Sequence, residues 1–347
     1  MGCIIVLLLH TLSAAFTLFH TGSLIFENKG NVIAYFDFFN KISVNCGIYI
    51  HAYMHWIRLD VVEAFIEAIQ ISPVIRCCRT PVWKAMMVPG FICTLVLYLT
   101  CTWWILIFGI DVSSWNGFSV SAQMAAREMF WWDRNKDVNP WLPLRIVAIL
   151  GQVIDSLCSH TSLNTYLPVQ LYCAYYIVRD FFTTMLNGRM DSVEALALFR
   201  EYVVLMKKVN AYLGLYVMQY MVMTMTYHSI HLFDMLNSTT IWWKISTYAY
   251  VAYVVNFYFL LSLIFIETKK MKKWLWKDRN YLKIPYHQLI TIMYDLLNYN
   301  YQFGIRLGKF FTTTVEFCGG ILAKTMGHSM LIKLAEQNLM SQIMSKS

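Results

Sequence analysis

Residues 192–234 read SVEALALFREYVVLMKKVNAYLGLYVMQYMVMTMTYHSIHLFD, and from Val209 to Phe233 this stretch holds no Asp, Glu, Lys or Arg. Ser192 is a residue type that closes a helix N-terminus by bonding the free N–H groups of the first turn. The run that follows has apolar periodicity, no proline, and no glycine before Gly214. It reads as a single helix of about 60 Å at 1.5 Å per residue. Its charge-free half alone is long enough to cross the roughly 30 Å of a bilayer's hydrocarbon core. The charged half then projects beyond the membrane.

The whole chain agrees with that stretch. Of 347 residues, 58% are hydrophobic and 14% are charged, with a mean hydropathy of +0.48. A soluble domain carries about 25% charged residues, so a water-facing surface cannot easily be built here. The deficit excludes a disordered chain, a nucleic-acid-binding domain and a conventional cytosolic enzyme. It favours an all-α, polytopic membrane protein, and the net charge of +8 then reads as an orientation signal. The nine cysteines show no zinc-ligand spacing and are read as small buried hydrophobes. Cys77-Cys78, in a basic stretch beside a span, is a candidate for palmitoylation.

Two more segments, 85–110 and 245–266, are free of charge, and 146–178 holds only Asp155. Residues 1–26 are read as a retained span. A signal peptide is the alternative, but a basic n-region and a small-residue cleavage site are missing. Residues 33–57 contain Asp37 and Lys41, four apart on one helix face, where they can pair. Residues 307–333 contain Glu316 and Lys324, and suit protein or water better than lipid. Seven transmembrane helices are therefore expected. Lys and Arg concentrate in 58–84, 179–208 and 267–306, and are sparse in 27–32, 111–144 and 235–242. By the positive-inside rule the first set is cytoplasmic. An odd count gives a cytoplasmic N-terminus and an extracellular C-terminus. The sequon Asn237-Ser238-Thr239 falls in an outer loop, which makes Asn237 a glycosylation candidate.

Helical patterns overshoot the bilayer on the cytoplasmic side, at 60–72, in the helix that starts at Ser192, and at 286–303; the fourth span, with Pro168 as an expected kink, also exceeds one crossing. The excess length is expected to form a cytoplasmic anchor bundle. The expected layout is six transmembrane helices with an outer ligand pocket (1–266), a basic anchor segment (267–306), then a pore-lining last helix with a short extracellular tail (307–347).

Catalytic motifs fail on inspection. His51-x-x-x-His55 and His228-x-x-His231 have helical spacings suited to metal, but opposite ends of the membrane separate the pairs by about 30 Å. His55-x-x-x-x-Asp60 matches an acyltransferase-like spacing that chance readily supplies. No GxSxG, HExxH, Walker loop or GxGxxG occurs. Binding, transport or conduction is expected rather than an enzyme, and no cofactor.

The order of features resembles the arthropod gustatory and odorant receptor superfamily. Residues 198–214, LFREYVVLMKKVNAYLG, are similar to that family's approach to its fifth span, with Asn210 and Gly214 near the end. Residues 308–317, GKFFTTTVEF, resemble its Phe- and Thr-containing approach to the last helix. Gustatory members carry Thr-Tyr, an apolar run and then Gln in that helix. Here Thr325 is kept, Ile332 stands in the Gln position and Lys333 follows. The resemblance implies a ligand-gated, non-selective cation channel in the plasma membrane. It would be a homo- or heterotetramer whose last span lines a central pore.

On that reading Thr314, Glu316, Cys318, Thr325, Ser329 and Ile332 are pore-lining candidates, within a polar set that includes Thr312 and Thr313. Gly319-Gly320 would allow close helix packing. Lys333 would oppose cations unless it turns away or pairs with Glu336. The alternative is that these Thr and Ser residues only bond backbone carbonyls in a packed bundle. A small-molecule tastant or odorant would sit in the outer half of the spans. Candidate residues there are Phe36, Phe39, Trp103, Trp104, Asp155, His160, Tyr220, Tyr227 and Tyr248, an aromatic wall with a few polar groups. The competing reading is a membrane transporter or a structural membrane protein of unrelated fold.

Overall fold

A computed structural model describes residues 2–27, 32–78, 87–95, 114–120, 166–187, 192–237, 241–277, 304–307 and 311–344, with isolated positions between them (81, 84, 123, 142–143, 145–147, 149–150, 287 and 290). The protein is all-α in class. In chain order come α1 (Gly2–Glu27), α2 (Val32–Ala52), a π-type turn (Tyr53–Ile57), α3 (Leu59–Ile71) and α4 (Pro73–Arg76). Then follow α5 (Leu167–Asn187), α6 (Ser192–Asn237), α7 (Ile241–Lys277), β1 (Arg306–Leu307), β2 (Phe311–Thr312) and α8 (Val315–Met344). Residues 87–95, within the expected span 85–110, are helical. The rest of that segment, most of 286–303 and the Asp37 side chain lie outside the described residues.

The long helix expected from Ser192 is continuous. It has 46 residues, roughly 69 Å at 1.5 Å per residue. Every other element in the bundle core is arranged on it: α2, α3, α4, α5, α7, α8 and β1 all pack against α6. Helix α7 also packs on α5 and α8, and α1 lies against α2. Pro168 is the second residue of α5, where a missing N–H costs little; what precedes residue 166 lies outside the described residues. The segment 60–72 forms the amphipathic α3, which buries Val62, Phe65 and Ala68.

Polar side chains register the bundle. Gln219 Nε2 of α6 donates to the Ser43 carbonyl of α2 at 2.8 Å, and Thr226 donates to Asn40 Oδ1 at 3.3 Å. Thr224 meets the Tyr258 hydroxyl of α7 at 2.9 Å, and Asn256 Nδ2 donates to Tyr172 of α5 at 3.0 Å. Below them rings interleave: Phe65 stacks on Tyr212 at 4.4 Å, and Phe181 on Tyr202 at 4.8 Å.

Along several helices polarity is inverted relative to a soluble protein. Helix α2 buries Asn40, Ser43 and Asn45 and exposes Tyr35, Phe39 and Tyr49. Helix α6 buries Gln219, Thr224 and Ser229 and exposes Met218 and Val222. Helix α8 buries Thr325 and Ser329 and exposes Met326, Met330, Leu331 and Leu334. Among the described residues one helix, at Val251–Lys270 in α7, is long and apolar enough to cross a membrane by length and composition. The Asn, Gln, Ser, Thr, Tyr and charged residues of α2, α6 and α8 lower their hydropathy below that mark.

Helix α4 is capped by Ser72, whose Oγ accepts from Val74 N–H at 3.3 Å. It tucks the two neighbouring cysteines against α5, where the Thr184 hydroxyl donates to the Cys77 carbonyl at 3.1 Å. The Cys78 thiol donates to the Val74 carbonyl at 3.5 Å. Burial pushes that thiol up to about 12, which leaves on the order of one part in ten thousand as thiolate at pH 8 and makes Cys78 a poor acylation site. In the folded protein at pH 8, Cys78 should resist N-ethylmaleimide and become reactive in denaturant, as read by peptide mass spectrometry.

Candidate functional site

The approach to the last helix is a closed hairpin. Arg306 and Leu307 pair antiparallel with Thr312 and Phe311. Ile305 N–H donates to Thr313 Oγ1 at 3.1 Å, and Thr313 N–H donates to the Ile305 carbonyl at 2.9 Å. Both residues are fully buried. Gly304 opens the hairpin with φ of 123°, a conformation that excludes most side chains. A Cβ there would also lie 3.0 Å from the Thr313 carbonyl oxygen.

A backbone donor of the hairpin bonds to α6, beside the buried Ile305 and Leu307. Arg306 N–H donates to Asn210 Oδ1 of α6 at 2.8 Å. The Asn of one family-like stretch thus holds the approach to the other. Thr314 then caps α8, its Oγ1 accepting from Phe317 N–H at 3.0 Å. Phe311 stacks on Phe317 at 5.6 Å. The helix therefore begins at Val315 rather than near residue 307, because Thr312 and Thr313 are committed to strand pairing and Thr314 to the cap. It continues through Met344, so the short tail expected after the last span is largely helix.

Helix α8 has two distinct faces. Cys318, Thr325, Ser329 and Ile332 are buried at positions four, three and seven residues apart that repeat on one side of a helix. That side seats against α6 and α7, with Phe317, Ile321 and Leu322 packed on the core beside it. The other side presents Glu316, Gly319, Gly320, Ala323, Lys324, Met326, Met330, Leu331 and Leu334. A Cβ added at Gly319, Gly320 or Gly327 would meet nothing within 4 Å.

The expected pore set is thereby split. Cys318, Thr325, Ser329 and Ile332 face the bundle interior, Thr314 is a cap, and Glu316 alone of the six is on the outward face. The Thr325 hydroxyl donates to the Ile321 carbonyl at 2.9 Å, the backbone bonding that was the alternative for this set. Inside a bundle hydroxyls serve packing as readily as they would serve a pore.

The described ligand candidates do not converge on one cavity either. Tyr220 is fully buried in the core, its ring 4.5 Å from Phe257 and 6.3 Å from Tyr253. Phe39 and Tyr248 are 57% and 59% exposed on the outside of the bundle. Asn40 takes the buried position beside Phe39 because its carboxamide accepts from α6. Phe36 is half-buried with its ring 6.5 Å from His328 of α8. Tyr227 is half-buried beside His228, ring to ring at 5.5 Å. Trp103, Trp104, Asp155 and His160 lie outside the described residues. Asn237 is the last residue of α6, and the rest of its sequon also lies outside them.

Sequence reasoning missed His328 against Phe36, and the polar pairs Gln219–Ser43 and Thr226–Asn40 between α2 and α6. A signal was present, since Asn40, Ser43, Gln219 and Thr226 interrupt otherwise apolar stretches. Compared with known proteins, the chain matches no protein-family model and no curated protein.

Losing the Asn210 acceptor removes a part-buried hydrogen bond to the Arg306 N–H, worth about 0.5–1.5 kcal/mol. Asn210→Ala should lower the thermal unfolding midpoint in detergent, and Asn210→Asp, which keeps an acceptor, should recover most of it. Gly304→Ala should destabilise by about 1–2 kcal/mol on conformational grounds, in the same assay.

Proposed function

We propose that the protein is a chemosensory receptor of the gustatory and odorant type. On this reading it is a multi-pass plasma-membrane protein with seven spans, a cytoplasmic N-terminus and an extracellular C-terminus. It acts as a ligand-gated, non-selective cation channel, assembled as a homo- or heterotetramer with related subunits, and not as an enzyme. The outward face of α8 carries this reading. Glu316 and Lys324 stand on that face beside three glycines with open space around them. A charged side chain placed against hydrocarbon costs about 2.5–3.5 kcal/mol or more. Such a face is satisfied by water, by a neighbouring subunit, or by both.

Two further observations support the reading. The inverted polarity of α2 and of the charge-free half of α6 suits helices surrounded by lipid, where polar groups gather at helix contacts and apolar ones face outward. The long α6, with its charged first half and charge-free second half, suits a span with a cytoplasmic extension. The resemblance of residues 198–214 and 308–317 to the receptor superfamily supplies the reaction to ligand. The half-buried Phe36 and Tyr227, with His328, are the described residues best placed to meet a small molecule in the outer half.

Expressed in a null cell, alone or with a related subunit, the chain should give a cation current evoked by a tastant or odorant. Lys324→Glu should raise relative cation conductance severalfold if that face borders the conduction path. Absence of current across a broad panel, with surface expression confirmed, overturns the proposal. So does a C-terminal tag found in the cytoplasm. Ligand-dependent uptake without conductance would place the protein among transporters instead.

A further inference from the structure

The His51-x-x-x-His55 pair is not used by the channel reading, yet it is built with care. Helix α2 passes directly into the π-type turn Tyr53–Ile57 between the two histidines, and such turns recur at functional sites. Both rings are half-buried, their centroids 5.2 Å apart and their planes inclined by 31°. Around a tetrahedral Zn²⁺ with Zn–N of about 2.0–2.1 Å, each imidazole centre lies about 3.2 Å from the ion, so two rings sit about 5.2 Å apart. The observed spacing is the one that two imidazoles hold around a shared ion.

His51 also has the partner that a metal ligand needs. The Tyr216 hydroxyl lies 3.2 Å from His51 Nδ1. With the proton on Nδ1 donated to the phenol oxygen, the lone pair on Nε2 is left for an ion, the second-shell arrangement that orients ligating histidines. Tyr216 is itself fixed, edge-on to Tyr212 at 5.5 Å. The Tyr212 hydroxyl accepts from Gln170 Nε2 at 3.3 Å and donates to Tyr166 at 3.1 Å. Tyr166, 42% exposed and with its ring 6.1 Å from His51, borders the pair on its open side. Arg58, three residues after His55, is bound to Asp60 at 3.2 Å, which moderates its repulsion of a second positive charge.

We propose that His51 and His55 form a binding site for a divalent first-row transition-metal ion of the Zn²⁺ and Cu²⁺ class, with Tyr216 as the positioning residue. Imidazole nitrogen selects these ions over Mg²⁺ and Ca²⁺. Among the described residues no third His, Cys, Asp or Glu completes the set. Water takes the remaining positions, and the ion is exchangeable. His228 lies about three turns farther along α6 than Tyr216 and belongs to a different level of the bundle. The proposal is independent of channel activity.

The test uses the full chain purified into nanodiscs. Titration with Zn²⁺ by calorimetry should show one site per chain, and Cu²⁺ should give an electron paramagnetic resonance spectrum with two nitrogen donors. His51→Ala and His55→Ala should each weaken Zn²⁺ at least tenfold, and His55→Gln should do the same while keeping a polar side chain. Tyr216→Phe should weaken binding about threefold or more and preserve the two-nitrogen Cu²⁺ spectrum. Thermal unfolding without metal checks that each variant is folded. Zn²⁺ affinity within twofold of wild type in all three histidine variants overturns the proposal, as does a Cu²⁺ spectrum lacking imidazole nitrogen. Displacement of Zn²⁺ by a hundredfold excess of Mg²⁺ overturns it as well.

Discussion

Between Asn210 and Thr226 helix α6 carries a series of hydrogen-bonding side chains, and these tie it to β1, α5, α2 and α7. Asn210 accepts from the Arg306 backbone and Tyr212 from Gln170. Higher along the helix Tyr216 meets His51, Gln219 reaches the Ser43 carbonyl, and Thr224 meets Tyr258. Inside the packed bundle an unmet polar group costs more than it does at a wet surface. Sliding α2, α5 or α7 along α6 by one turn would break such a bond. The apolar rings between these levels add area, but rings pack in many registers. The polar rungs select one.

That constraint decides what the last helix can present. Helix α8 is rooted through the hairpin to Asn210, and its buried seam of Cys318, Thr325, Ser329 and Ile332 is used against α6 and α7. What remains for a partner, for water or for both is the opposite face, with Glu316, Lys324 and its uncovered glycines. On the proposed function a pore would therefore be lined by that face rather than by the buried seam. On the proposed function, conduction would depend on a face whose composition is charge, glycine and methionine rather than hydroxyl.

The same helix joins two levels of chemistry. At its middle, Tyr212 and Tyr216 buttress the His51–His55 pair. Farther along, Gln219 and Thr226 hold α2 where Phe36 approaches His328. An ion on the histidines and a small molecule near Phe36 would both act on the contact between α2 and α6, which is the most polar helix contact among the described residues.

Much of this was legible in residues 192–234 and in the charge deficit alone. Helical class, the length of α6, its start at Ser192 and the amphipathic α3 all follow from local rules, because a helix's own backbone bonds and caps are set within a few residues. Glu316 and Lys324 also marked α8 as unsuited to lipid before any contact was known. The side each residue faces was another matter. Aromatic identity suggested that Phe39, Tyr220 and Tyr248 share a wall, whereas one is sealed in the core and two look outward. Hydroxyls suggested that Thr325 and Ser329 face a pore, whereas they face α6 and α7. Facing is decided by which partner meets a helix and at what register, and that is settled by bonds such as Gln219 to Ser43 between residues far apart in the chain. The sequence by itself determined the helices and their lengths. Only the tertiary structure decided which faces are joined, since periodicity repeats around a helix and a partner's rung must choose among the repeats.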